Sequence, residues 1–245
     1  SGTDVAKEAS DIVILDDNIN SISMAILFGR TIFKNIRKFI IFQLTMNICA
    51  MSLSIIGPFI GISTPVTVMQ MLWINMIMDT LAGLAFAYEE PLLSYMDEKP
   101  KSKNEPIINK YMYEEIVFTG LYSSLLCILF LKIPLVKSLI RYDVNDKYFL
   151  TAFFALFVFM GIFNAFNTRT NKYNLFYGIK NNKVFLIIFM LVAIMQIYFI
   201  YYGGTIFRTY GLNLKELLIV LGLAFSVVPV DLFRKFIFNN NKDYI

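Results

Sequence analysis

The chain has 245 residues, of which 57% are hydrophobic and 16% charged, and its mean hydropathy is +0.61. Soluble domains run nearer about 45 to 50% apolar and about 25% charged, so the apolar surplus points to lipid as a second solvent. With no histidine, a serine–histidine hydrolase, a histidine acid/base pair and a histidine-ligated metal are excluded from this chain, and a scattered net charge of +4 argues against nucleic acid as a partner.

Ser1 rather than Met opens the chain and no signal-peptide pattern follows, which predicts a start partway through a longer polypeptide. Thr3 is placed to cap a short helix. Ile12 to Leu15 form an apolar run ended by Asp16, Asp17 and Asn18, the pattern of a buried strand closing a cytosolic α/β unit. No proline interrupts Ser21 to Ile56, which predicts one long helix that starts in the cytosol and enters the bilayer. Arg30, Lys34, Arg37 and Lys38 form its basic collar, read as a contact to anionic headgroups.

Crossing about 30 Å of hydrocarbon takes roughly 20 apolar residues, and six stretches qualify. They run from Phe39 to Ile60, Thr67 to Tyr88, Ile116 to Leu135, Phe149 to Phe166, Val184 to Tyr202 and Leu217 to Phe236. Gly57, Pro58, Gly61 and Pro65 predict a tight turn between the first two, and Gly203 with Gly204 ends the fifth. Lys and Arg divide 16 to 6 between the two sides these spans define, which puts both termini in the cytosol. Cys49 and Cys127 each lie in an apolar run and read as small packing residues.

A carboxylate at mid-bilayer costs about 2.5 to 3.5 kcal/mol, so an acid there is a functional candidate. Asp79 is the one acid well inside a predicted span, and Asn75, four residues earlier, shares its helix face. Asn47 on the first span lies at a depth that an antiparallel neighbour brings near both. Three oxygen-bearing side chains without sulfur or imidazole favour a hard cation such as calcium, which takes six to eight oxygens, more than these three supply. The competing reading is an interhelical hydrogen-bond cluster with Asp79 protonated. Asn164, Asn167, Gln43 and Gln196 read as helix–helix hydrogen-bonding groups, and Asp231 as a partner for Arg234 or Lys235 anchoring the last span at the interface.

The segments Ser1 to Asp11, Asp16-Asp17-Asn18 and Gly29 to Ile36 resemble the end of the phosphorylation domain and the stalk of P-type calcium ATPases. Gln70 to Leu84, QMLWINMIMDTLAGL, resembles the family's sixth membrane helix, and Lys99-Pro100 with Glu105-Pro106-Ile107-Ile108 is similar to the loop after it. The likeness is strong to about Asn109 and weaker beyond, where Phe163 to Arg169 is similar to the plasma-membrane type.

The resemblance implies an all-α membrane protein. Its six-helix transmembrane bundle would correspond to the family's fifth to tenth helices, with a short N-terminal α/β remnant of a cytosolic domain and a stalk helix. The implied division is 1–20 for the end of the phosphorylation domain, 21–38 for the stalk, 39–238 for the transport domain and 239–245 for a short cytosolic tail. It places Asn47, Asn75 and Asp79 at positions that coordinate transported Ca2+ in the family. Ala50, where two-calcium pumps carry a glutamate, and Met78, where they carry a hydroxyl, look like the plasma-membrane type with one calcium per cycle.

The family's phosphoryl transfer from ATP with Mg2+ belongs to a missing N-terminal part. No DKTGT, TGE loop or nucleotide-binding domain is found in the chain, and the four earlier helices are lacking too, so this chain alone is expected neither to hydrolyse ATP nor to complete the ion site. No calmodulin-binding tail is expected within this chain. The expected partners are the lipid bilayer and the N-terminal half of the same polypeptide, and the expected location is the plasma membrane or an internal calcium-storing membrane. A stand-alone six-helix cation channel or carrier, or a non-catalytic membrane subunit, is the alternative.

Overall fold

A computed structural model describes residues 2–16, 18–61, 65–102, 104–141, 143 and 145–238. The expected tail, 239–245, lies outside these. Among the described residues the secondary structure is helical throughout, and six helical segments are long and apolar enough to cross a membrane. The protein is therefore an integral, multi-pass, all-α membrane bundle.

The chain opens with α1 (Asp4–Glu8), capped by Thr3, whose side chain accepts from the Ala6 amide at 3.4 Å. The predicted strand at Ile12 to Leu15 does not form: Ile12 is 74% and Leu15 95% exposed. A strand satisfies its N–H and C=O groups through a neighbour, and no second strand exists among the described residues to supply one.

Helix α2 (Ile19–Phe59) is 41 residues long and capped by Asn18. At about 1.5 Å per residue it measures roughly 60 Å, twice a bilayer's hydrocarbon thickness, so about half of it extends beyond the lipid. It runs through Gly57 and Pro58, where a turn was predicted. Near a helix end the missing proline N–H removes a single bond, and the Ile60 amide closes the last turn on Ile56 and Gly57 before Gly61, which takes φ 72°.

The second span is α3 (Val68–Leu72), a π-helical stretch Trp73–Met78, and α4 (Asp79–Ala87). Thr67 and Gln70 form a capping box at its start. The remaining helices are α5 (Lys110–Lys132), α6 (Pro134–Ser138), α7 (Lys147–Arg169), α8 (Lys183–Tyr202), α9 (Gly204–Phe207), α10 (Leu214–Phe225) and α11 (Val227–Phe238). The sixth span is thus two helices broken at Ser226. Pro229 cannot donate to the Phe225 carbonyl, and at the break the Ser226 hydroxyl donates to the Leu223 carbonyl and accepts from Tyr122 at 2.7 Å.

Helix α7 is the axis. Its apolar window is 83% buried, against 33% for the α2, α8 and α10–α11 spans, and phenylalanines on every side of it fill the core. Helix α5 lies against α2 across Gly120, where an added Cβ would meet Ile48 Cγ2 at 3.0 Å and the Thr45 carbonyl at 3.4 Å. Gln196 accepts from the Trp73 indole at 3.1 Å, and Asn167 donates to the Val227 carbonyl at 3.2 Å, so both make helix–helix bonds. The Asn164 amide nitrogen finds no partner.

The basic collar is not spent on headgroups. Arg30 donates to the Tyr95 and Glu98 carbonyls, Lys34 pairs with Glu98 at 2.7 Å, and Lys38 approaches Glu89 at 3.7 Å. Arg37, fully buried, pairs with Glu105 at 2.9 Å and donates to the Pro106 and Ile107 carbonyls. The segment after α4 folds back on α2 and takes up these cations before lipid can. Burial opposes the charge of Glu105, but the hydrogen bonds and charges of Arg37 and Lys101 outweigh it and hold the carboxyl below its ordinary value.

A second polar cluster closes the same end of the bundle. Asp231 pairs with both Arg234 (2.7 Å) and Lys235 (2.9 Å), and Arg234 reaches Glu115 of α5 at 3.1 Å. Lys235 donates to the Asn167 and Thr170 carbonyls. These groups are buried rather than interfacial: Asp231 and Arg234 have no exposed surface and Glu115 has 1%. Burial at a helix–helix junction, with α5 and α7 both supplying partners, replaces the expected interface anchor.

Candidate functional site

Asn47, Asn75 and Asp79 line one tightly packed crevice, walled by Met46 and Ala50 of α2, Met71 and Ile74 of the second span, and Phe157 of α7. Each is placed by its own element. Asn47 lies two residues after Thr45, whose hydroxyl bonds back to the Ile41 carbonyl of the same helix at 2.7 Å. Asn75 sits within the π-helical stretch, and Asp79 ends it, its amide bonding five residues back to the Ile74 carbonyl. A π turn is slightly wider than an α turn, so residues four apart still share a face, and segments of this kind recur at functional sites.

The environments of the three differ from the expectation of a common dry interior. Asp79 is 6% exposed, and its Oδ1 has no hydrogen-bond partner. Asn47 and Asn75 are exposed, on a face of the bundle that also shows Met51, Ile55 and Met76. A buried carboxylate oxygen without a partner costs several kcal/mol, roughly, unless a cation or proton meets it. Met78 turns the other way, fully buried, with its methyl over Gly161, so it gives nothing to the crevice.

Oxygen donors from one carboxylate and two amides suit a hard cation and supply only part of its shell. Among the described residues no group of three or more Asp, Glu, Cys or His gathers anywhere, so the crevice is an amide-rich site rather than an acidic cage. The polar residue that sequence reasoning missed is Glu115. It precedes the predicted third span by one residue, and its buried state follows from Arg234, more than a hundred positions away, which no local pattern announces.

A multi-pass helical bundle with polar oxygens held at the depth of its spans has the makings of a functional site inside a membrane protein. Residues 63–237 match the family described as cation transporting ATPase, C-terminus, and the chain belongs to that family. It is similar to calcium-transporting ATPase 8, plasma membrane-type, of Arabidopsis thaliana, with 35% identity over 97% of this chain and 22% of that protein. Plasma membrane calcium-transporting ATPase mca-1 of Caenorhabditis elegans is 36% identical over 93% of this chain and 19% of its own length. Plasma membrane calcium-transporting ATPase 1 of Mus musculus is 36% identical over 91% and 19%. The chain thus spans about a fifth of the length of the curated relatives it matches.

Proposed function

We propose that this chain forms the carboxy-terminal transport helices of an ATP-driven calcium pump, with the side-chain oxygens of Asn47, Asn75 and Asp79 as part of the Ca2+ site. The observation that carries the reading is the crevice itself, where the unpartnered Asp79 Oδ1 is joined by two asparagines from separate helices. Ca2+ is the transported substrate. A hard divalent ion replaces the missing partner of Asp79, and the asparagine amides hold it without adding charge to the span.

The exposure of Asn47 and Asn75 fits the same reading: amides at mid-span facing lipid are expensive, so this face is where the rest of the intact protein packs and completes the coordination. ATP and Mg2+ act in that remaining part. The excess of Lys and Arg on one side supports cytosolic termini, with 1–20 closing a cytosolic domain, 21–38 a stalk and 39–238 the transport bundle, in the plasma membrane or an internal calcium-storing membrane.

The test is ATP-dependent 45Ca uptake into vesicles containing the intact protein. Asp79→Asn and Asn75→Ala are expected to abolish uptake while the protein still folds and inserts. Uptake at the wild-type rate and calcium affinity in Asp79→Asn removes the site assignment.

A further inference from the structure

Two side chains that the calcium reading does not use meet inside the bundle. Cys49 of α2 and Cys127 of α5 are 78 positions apart in sequence, yet their Sγ atoms lie 3.8 Å apart. Both are free thiols with no exposed surface. The two helices are pressed together at Gly120, which leaves no space for a Cβ beside Ile48, so the sulfurs face each other across a tight seam. A hard cation does not seek sulfur, and no third ligand of the His, Cys, Asp or Glu type joins them among the described residues.

We propose that Cys49 and Cys127 are a redox modification site, a buried dithiol that a small neutral oxidant such as a peroxide converts into a disulfide tying α2 to α5. A disulfide bond is about 2.05 Å long, so forming one requires the 3.8 Å sulfurs to close by about 1.8 Å. One thiol attacks a peroxide oxygen, and as the O–O bond breaks its proton passes to the departing hydroxide, giving a sulfenic acid and water. The second thiol then attacks the sulfenic sulfur, forming S–S and releasing a second water. Two electrons pass from the sulfur pair to the peroxide.

Burial selects the reagents. Bulky, charged thiols such as glutathione do not reach the seam, whereas small uncharged oxidants and reductants cross lipid. The site is independent of the calcium reading and stands or falls without it.

The experiment treats membranes containing the intact protein with diamide, a permeant azo oxidant that takes up the two hydrogens as a hydrazine and spares methionine. Remaining thiols are then alkylated under denaturing conditions. Cyanogen bromide cuts after methionine and releases Cys49 in the five-residue fragment 47–51 and Cys127 in the fragment 113–160. The expected result is a linked pair of these fragments, lighter than their sum by two hydrogens, which disappears on dithiothreitol treatment and is absent from Cys127→Ser. Recovery of the two fragments separately alkylated from oxidised wild-type protein overturns the proposal. So does finding each cysteine as an isolated sulfinic acid after peroxide.

Discussion

Arg234→Met tests whether the buried charges that join α11 to α5 and α7 are paired as a unit. The wild-type cluster balances Glu115 and Asp231 against Arg234 and Lys235 at 2.7 to 3.1 Å, with every member almost wholly buried. Methionine keeps the length of the stem and removes the guanidinium. Asp231 retains Lys235 at 2.9 Å, but Arg234 is the ion-pair partner the structure gives Glu115 among the described residues.

Breaking a buried pair typically costs about 3 to 5 kcal/mol. An independent bound comes from protonation. The variant can escape an unpaired charge by loading a proton onto Glu115, and at pH 7 that costs about 3.7 kcal/mol for a carboxyl with an ordinary value near 4.3. A loss of about 3 to 4 kcal/mol is therefore expected.

The proton bound to the folded variant and absent from its unfolded chain also sets the pH dependence. The penalty is expected to shrink on going from pH 7 to pH 6. Adding Glu115→Gln, which removes the stranded charge, recovers about 2 kcal/mol. The assay is unfolding of the purified intact protein in mixed micelles by added dodecyl sulfate. An Arg234→Met loss under about 1 kcal/mol, or one that does not change between the two pH values, refutes the account.

Two glycines on different helices predict opposite outcomes in the same assay. At Gly120 an added methyl meets Ile48 Cβ at 3.2 Å and a backbone oxygen, neither of which gives way, so Gly120→Val is expected to cost about 1 to 3 kcal/mol. At Gly161 the neighbours are the flexible methyl ends of Met46 and Met78, so Gly161→Ala is expected to fall within about 1 kcal/mol of wild type. Gln196→Leu leaves the indole N–H of Trp73, the chain's single tryptophan, without its acceptor. A loss of about 1 to 3 kcal/mol and a blue-shifted emission of that residue are expected. The carboxyl of Glu105 is held below its ordinary value, so its clamp on Arg37 is present at neutral pH and is lost as pH falls through that lowered value. Amide exchange in 104–108, corrected for intrinsic rate, is expected to quicken only in that acid range, and Glu105→Gln to show the quickened rate at pH 7.

The spans were legible because lipid imposes a local rule: an apolar run of sufficient length must be a helix, whatever it packs against. The same rule explains why Asn75 and Asp79 stood out in the sequence. What escaped depends on partners distant in the chain. Ile12 to Leu15 carried a strand's composition, but a strand is defined by its neighbour. The break at Ser226 was not read from the sequence, although Pro229 supplies its cause, and the π-helical stretch at Trp73–Met78 has no compositional mark. The collar at Arg30 to Lys38 looked like a lipid contact because the carboxylates and carbonyls that occupy it lie more than fifty residues downstream. The exposure of Asn47 and Asn75 is likewise a property of the assembled surface, invisible to any window of sequence.

The enclosure of α7 gives it a different relation to the bilayer from that of its neighbours. Helices wetted by acyl chains adjust their tilt when membrane thickness or fluidity changes, each answering to the lipid directly. A helix surrounded by protein feels such changes only second-hand, through the rings and aliphatic groups gripping it. It behaves as a keel, holding Phe157 at one wall of the crevice steady while the outer staves respond to the sea around them.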